Sequence, residues 1–418
     1  MDFFRFLMSD VLSEPAVLVG LIALIGLIAQ KKPVTECIKG TVKTIMGFVI
    51  LGAGAGLVVS SLGDFANIFQ HAFGIQGVVP NNEAIVSVAQ KSFGKEMAMI
   101  MFFAMVINIM IARFTPWKFI FLTGHHTLFM SMMVAVILAT AGMTGITLIA
   151  VGSLVVGVAM VFFPAIAHPY MKKVTGSDDV AIGHFSTLSY VLAGFIGSKF
   201  GNKEHSTEDM NVPKSLLFLR DTPVAISFTM SIIFLVTCLF AGADAVKELS
   251  GGKNWFMFSI MQSITFAAGV YIILQGVRMV IAEIVPAFKG ISDKLVPNAR
   301  PALDCPVVFP YAPNAVLVGF LSSFAAGLIG MFTLYLLNMI VIIPGVVAHF
   351  FVGAAAGVFG NATGGRRGAI LGAFAQGLLI TFLPVFLLPV LGDIGFANTT
   401  FSDADFGALG ILLGIIVR

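Results

Sequence analysis

Long apolar runs, parted by short turns that hold most of the charge, repeat from one end of the chain to the other. They are Ala16–Ala29, Thr44–Ser60, Met97–Ala112, Phe119–Ala141, Gly145–Ala165, Val224–Ala243, Phe256–Val277, Ala315–Leu337, Met339–Phe359, Ala369–Leu391 and Phe406–Val417. About 20 apolar residues in a helix cross the hydrocarbon core of a bilayer. The pattern therefore predicts an all-α polytopic membrane protein with about eleven transmembrane helices. The final run is too short to span alone and is expected to tilt or to belong to a hairpin. Three segments break the pattern. Gly74–Glu83 and Ala299–Pro313 are rich in Pro, Gly and Asn beside apolar runs, and such backbone is tolerated at membrane depth only when buried in protein or lining a cavity. Val180–Gly197 is polar-spotted between basic flanks, which predicts a re-entrant hairpin with His184 near its tip.

Composition agrees. Of 418 residues 58% are hydrophobic and 11% charged, with mean hydropathy +0.99; a soluble domain carries roughly 25% charged residues. Cys37, Cys238 and Cys305 are too scattered for a disulfide framework. The first apolar run lacks the basic start and small-residue cleavage site of a signal peptide. Net charge is only +3, but its distribution is uneven. Alternate turns hold 19 of the 24 Lys and Arg, leaving Arg5, Lys91, Lys95, Lys247 and Lys253 on the other face. Under the positive-inside rule the N-terminus is expected outside and the C-terminus in the cytoplasm. The Gly392–Asp405 turn, purely acidic, falls outside.

Two stretches look alike. Ile50-Leu51, Phe65 and Val79-Pro80-Asn81 are echoed by Ile273-Leu274, Phe288 and Val296-Pro297-Asn298. Residues 1–418 are read as one permease domain of two inverted repeats, about 16–200 and about 224–418. Secondary transporters built this way bind substrate where the halves meet.

Ionisable groups inside apolar context are functional candidates by default. Leu122-Thr123-Gly124-His125 and Ile182-Gly183-His184 set imidazoles in glycine turns, and Asp304 lies in a proline-broken apolar stretch. Glu83 follows Asn81-Asn82 in the matching part of the first repeat. Carboxylates and imidazoles suit a polyhydroxylated ligand, because they share hydrogen bonds with hydroxyls. Asp304 and His184 are open to two roles, base toward a solute hydroxyl or orientation alone. His126 and His349 are expected to be structural, His168 and His205 solvated at a membrane edge. Arg278 and Glu283, about a turn apart, read as an internal pair. Gly52, Gly54 and Gly56 give a smooth face for helix packing, and Gly54 is also a candidate for lining the site. No P-loop, CxxC, HExxH or GxSxG occurs, so no catalytic site, metal, cofactor or nucleic-acid partner is expected. An ion-coupled or passive transporter of a small polyhydroxylated solute is the alternative reading, and a membrane enzyme a weaker one.

Several motifs carry a family resemblance: Ile38-Lys39-Gly40-Thr41, Leu122-Thr123-Gly124-His125, Ile182-Gly183-His184, Gln275-Gly276-Val277-Arg278-Met279, Ala287-Phe288 with Gly290-Ile291-Ser292, Asp304-Cys305 and Ala312-Pro313-Asn314-Ala315. At these residues the chain resembles the ascorbate-type IIC permeases of the bacterial sugar phosphotransferase system. The resemblance implies a homodimer in the inner membrane. Each protomer would have a core domain with re-entrant hairpins and a V-shaped dimerisation domain. It also implies uptake of a small sugar or sugar acid, L-ascorbate-like or a pentitol. A cytosolic IIB partner, fed by IIA, would phosphorylate the solute. His125, His184 and Asp304 match substrate contacts by position. Gly52 and Ala55 stand where ascorbate transporters have Gln and Ser, Asn82 and Glu83 where they have Thr and Tyr. Phe129 and Phe185 each replace a Gln. The pocket thus exchanges amides for aromatic faces and a carboxylate.

Overall fold

The computed structural model describes residues 15–74, 77–210, 215, 218–219, 221–392 and 399–417. Helices dominate, in the order α1 (Pro15–Ala29), α2 (Val34–Phe73), α3 (Asn82–Phe114), α4 (Gly124–Thr140), α5 (Gly145–Thr175), α6 (Thr187–Phe200), α7 (Thr222–Ala241), α8 (Ala243–Leu249), α9 (Trp255–Leu295), α10 (Pro313–Leu336), α11 (Val346–Leu391) and α12 (Ala404–Val417). Their ends follow local chemistry. α2 starts after Pro33 and stops at Gly74, which takes a left-handed φ of 69° and lets the chain turn without a Cβ clash. α5 ends at Gly176 in the same way, with Lys172 and Lys173 in its last turn where they complement the carbonyl end of the helix dipole.

Seven of the described helices are long and apolar enough to cross a membrane: α2, α3, α5, α7, α9, α10 and α11. The protein is therefore a multi-pass membrane protein. Three apolar runs differ from the sequence expectation. Phe119–Ala141 is not one continuous helix; it is a short strand followed by the 17-residue α4, whose residues 126–138 are all buried. Hydropathy reports only that a segment is apolar, and protein can cover such a segment as well as lipid can. The run Ala369–Leu391 and, from Val346 on, the run Met339–Phe359 belong to α11, whose arms break at Gly364 and Gly365, the latter at φ 59°; residues 339–345 precede the helix and include the short strand Val341–Ile342. A Cβ on Gly365 would strike the carbonyl oxygens of Asn202 and His205, so only glycine fits this corner.

Six short strands accompany the helices: β1 (Gly77–Pro80), β2 (Phe119–Phe121), β3 (Ala181–Ile182), β4 (Arg300–Leu303), β5 (Val341–Ile342) and β6 (Thr399–Thr400). They form two parallel three-stranded sheets, ordered β5-β1-β6 and β2-β4-β3. Each middle strand pairs with strands from the other half of the chain, as in Val78 beside Ile342 and Ile182 beside Leu303. Where a helix unwinds away from water, backbone N–H and C=O groups need protein partners, and these ladders supply them. At the edge of the second sheet buried Asn108 does the same. Its amide donates to the Phe119 carbonyl and its oxygen accepts from the Phe121 N–H, both at 3.0 Å. The Val79-Pro80-Asn81 and Val296-Pro297-Asn298 echo is not matched structurally, because the first lies in β1 and the second precedes β4.

On one end, Asp178 gathers His168 Nε2 at 2.6 Å, Arg300 Nη2 at 2.7 Å and Lys172 Nζ at 3.2 Å. His168 is thus buried and paired, not simply solvated. The His168 ring, with Arg300 and Lys172, holds the Asp178 carboxyl well below the usual carboxylate range. A depressed pKa contributes stability that is present above the ordinary value of about 3.9 and is lost as pH falls toward the folded value. Thermal melts of wild type and Asp178→Asn should therefore differ at pH 5 and converge progressively below about pH 4; a gap that persists at acid pH would contradict the cluster's role.

Candidate binding site

All six strands end at one cavity. It measures ≈ 210 Å³ and collects residues just beyond β1 (Asn82, Glu83), β2 (His125, His126), β3 (His184), β4 (Asp304), β5 (Val347, Ala348) and β6 (Ser402, Asp403), with Phe129 behind His125. The helices α3, α4, α6, α11 and α12 begin at these junctions. Helix starts present unpaired N–H groups and the positive end of the dipole, which suits acceptor-rich ligands and the carboxylates that cap them. The Asp304 carboxylate accepts from the Cys305 N–H at 2.7 Å. Asp405, fully buried, accepts from Thr187 N–H at 2.8 Å, Thr187 hydroxyl at 2.5 Å and Leu188 N–H at 2.9 Å. One carboxylate thereby ties the start of α6 to the start of α12.

His125, His184 and Asp304, far apart in sequence, meet here. Asp304 lies 3.5 Å from His125 Nε2 and 3.8 Å from His184 Nε2. These spacings are long for hydrogen bonds, so the carboxylate stands between two rings without being consumed by either. The hydroxyl of buried Tyr190 holds His184 Nδ1 at 2.8 Å, which orients the other nitrogen toward Asp304.

Asn82 and Glu83 open α3 on the opposite wall. Asn82 donates to Asp403, and its oxygen accepts from the Ser402 N–H at 2.9 Å. Glu83 is 6% exposed, and its Oε2 has no hydrogen-bond partner among the described residues. Phe129 lines the cavity as expected. Phe185 does not: its ring stacks on Phe121 at 4.6 Å behind the hairpin tip, while its N–H donates to His126. Gly54 sits at the crossing of α2 and α9, where a Cβ would lie 2.8 Å from the Ile273 nitrogen; it serves packing and is not a cavity-lining residue. The Ala55 side chain lies outside the described residues.

The structure adds three residues that sequence reasoning placed elsewhere. His126 follows His125 on the same first turn, and its ring centroid is 3.8 Å from that of His184. Asp403 is 4% exposed and accepts from Ser186 and Ser402 at 2.9 Å each. It had counted as part of an exposed acidic turn, and nothing in its local sequence separates the two situations. Arg278 faces the cavity from α9 and is not confined to a pair with Glu283. The apolar residues on both sides of it, Val277 and Met279-Val280-Ile281-Ala282, were the available signal. His349 is buried and bonded to Ser323 at 2.7 Å, a structural role as expected.

Among the described residues, three groups each bring their possible metal-ligating atoms within 4.8 Å of one another: His125–His126–Asp304, His126–His184–Asp403 and His184–Asp304–Cys305. In the two that contain His126, its Nδ1 already accepts from the Phe185 N–H at 3.2 Å, so the neutral ring carries its proton on Nε2. That occupies both nitrogens. The arrangement suits hydroxyl groups better, because carboxylates accept from them and imidazoles both give and take.

A multi-pass membrane protein with unwound, strand-paired helix starts around a polar cavity has the build of a solute permease. Residues 10–405 match the family described as "PTS system sugar-specific permease component", and the chain belongs to that family of sugar phosphotransferase transport proteins. It is 28% identical over 459 aligned positions to the "Ascorbate-specific PTS system EIIC component" of Mycoplasma pneumoniae, covering 96% of this chain and 67% of the relative.

Proposed function

We propose that the chain binds a small sugar or sugar acid of the L-ascorbate kind and carries it across the inner membrane for phosphorylation by a cytosolic IIB partner. The cavity at the six strand ends carries this reading, with Asp304 set between His125 and His184. The ascorbate-specific relative supports the substrate class. Asn82, Glu83 and Phe129 line the wall where the resemblance implies Thr, Tyr and Gln. A site that hydrogen-bonds hydroxyls discriminates strongly among its ligands, so the preferred solute departs from L-ascorbate itself. Uptake of a sugar panel into vesicles, with and without phosphorylated IIB, tests the reading. Accumulation of phosphorylated solute only with IIB is expected; IIB-independent uptake of unmodified solute would overturn it.

The two chain halves are proposed to be inverted repeats, a reading supported by the exchange of middle strands between the two sheets. The working unit is proposed to be a homodimer with a moving core. The basic turns support an outside N-terminus and a cytoplasmic C-terminus, since Arg300 N–H bonds the Lys118 carbonyl and Arg366 N–H bonds the His205 carbonyl. Basic turns distant in sequence thus share an end. Gly365 is unsuited to labelling because of its packing, whereas Arg367 is exposed. Arg367→Cys should react with impermeant maleimide only after the inner face is opened; labelling in intact cells would reverse the topology.

A further inference from the structure

Arg278 sits within the candidate span Trp255–Val280, where a charge is costly and points to a ligand or a partner. Its side chain is exposed to the cavity, and among the described residues it has no hydrogen bond or ion pair. Among the described residues it is the one Lys or Arg that lines the cavity. A guanidinium offers five donors in a planar fork and accepts nothing. With no carboxylate bonded to it, its complement is an oxyanion.

The position selects which oxyanion. The groups suited to solute hydroxyls, Asn82, Glu83, His125, His184, Asp304 and Asp403, all stand at strand ends. Three of these are carboxylates, so a negative charge is disfavoured among them. Arg278 and Leu274 instead come from α9, a helix packed along α2 and outside the strand-paired tips. A dianion placed against α9 meets the fork that binds phosphate bidentately, while the hydroxylated part of the solute faces the strand ends.

Resting on the permease reading above, we propose that Arg278 is the residue that receives the phosphoryl group of the solute. In that step the bond from phosphorus to its donor residue on IIB breaks as a bond to a solute hydroxyl oxygen forms. The hydroxyl proton passes to a carboxylate or imidazole of the cavity, and the donor residue leaves without its phosphoryl group. A positive group placed against the negatively charged equatorial oxygens stabilises this transfer, and the same contact holds the phosphate ester afterwards.

The test uses the purified full chain in detergent, with inorganic phosphate and acetate as probes at matched ionic strength and thermal stability as readout. Phosphate should stabilise wild type and acetate should not. Arg278→Gln should weaken the phosphate response roughly 10–100-fold, the loss expected for a charge-assisted hydrogen bond. Arg278→Lys should retain part of it. Arg366→Gln, altering an exposed arginine outside the cavity, should respond as wild type does. A phosphate response that survives Arg278→Gln overturns the proposal. So does an equal response to acetate, which would assign Arg278 to a charge of the solute itself. Should Arg278→Gln lower the melting point without ligand, Arg278→Lys decides: a phosphate response reduced from wild type supports the proposal, and one equal to wild type overturns it. The assay contains no IIB, so its failure leaves the permease reading standing. IIB-independent uptake would remove that reading without touching the phosphate result.

Discussion

Asp304→Asn is expected to lower solute affinity about 10–100-fold, the 1.5–3 kcal/mol range of a hydrogen bond to a charged group. The substitution keeps an oxygen that can accept from the Cys305 N–H, now at 2.7 Å, so the turn into the following helix should survive. What disappears is the negative charge between His125 and His184. Measuring solute binding and phosphorylation by IIB separately divides its two roles. If both fall in proportion, Asp304 orients the solute; if phosphorylation falls much further, it also takes the hydroxyl proton, as positioned bases commonly do. His184→Gln gives the companion result, because its Nε2 faces the same carboxylate while Tyr190 steadies Nδ1. Wild-type binding in either variant would remove Asp304 or His184 from the site.

Asp405→Ala should produce the largest loss of stability. It removes a fully buried carboxylate and strands three donors, the Thr187 and Leu188 N–H groups and the Thr187 hydroxyl. Unsatisfied buried groups cost about 1–3 kcal/mol each, and these share one acceptor, so a net loss of roughly 3–5 kcal/mol is expected. Size-exclusion profiles of the detergent-extracted protein after graded heating would show it. Asp405→Asn keeps one acceptor and should lie between wild type and alanine. A melt unchanged in Asp405→Ala would mean that the start of α6 is held by other contacts.

Both effects depend on residues that local sequence treats very differently. Asp304 interrupts an apolar stretch and could be picked out from its neighbours alone. Asp403 and Asp405 could not: they belong to the acidic Gly392–Asp405 turn and read as solvent-facing, although the fold buries both. His126 was obscured in another way. It adjoins His125, and only the approach of β3 brings the His184 ring within 3.8 Å of it. Phe185 differs in the other direction: the resemblance sets it where ascorbate transporters have a Gln, which implies a lining role. Its ring instead packs on Phe121.

Taken by itself, the chain determined the membrane class and most of its apolar helices, and it singled out His125, His184 and Asp304 as candidates, which the fold brings to one cavity. Those properties are local, because hydrophobic length and a charge inside an apolar run are written in consecutive residues. Tertiary structure alone decided which apolar runs break, as at Phe119–Ala141, and which polar groups meet. The strand ladders join residues more than 100 positions apart, such as Ala181 with Ala302 and Gly77 with Val341. The physical reason is that unwound backbone must find hydrogen-bond partners wherever the fold provides them. No single segment records that pairing, and the cavity forms only where the pairings meet.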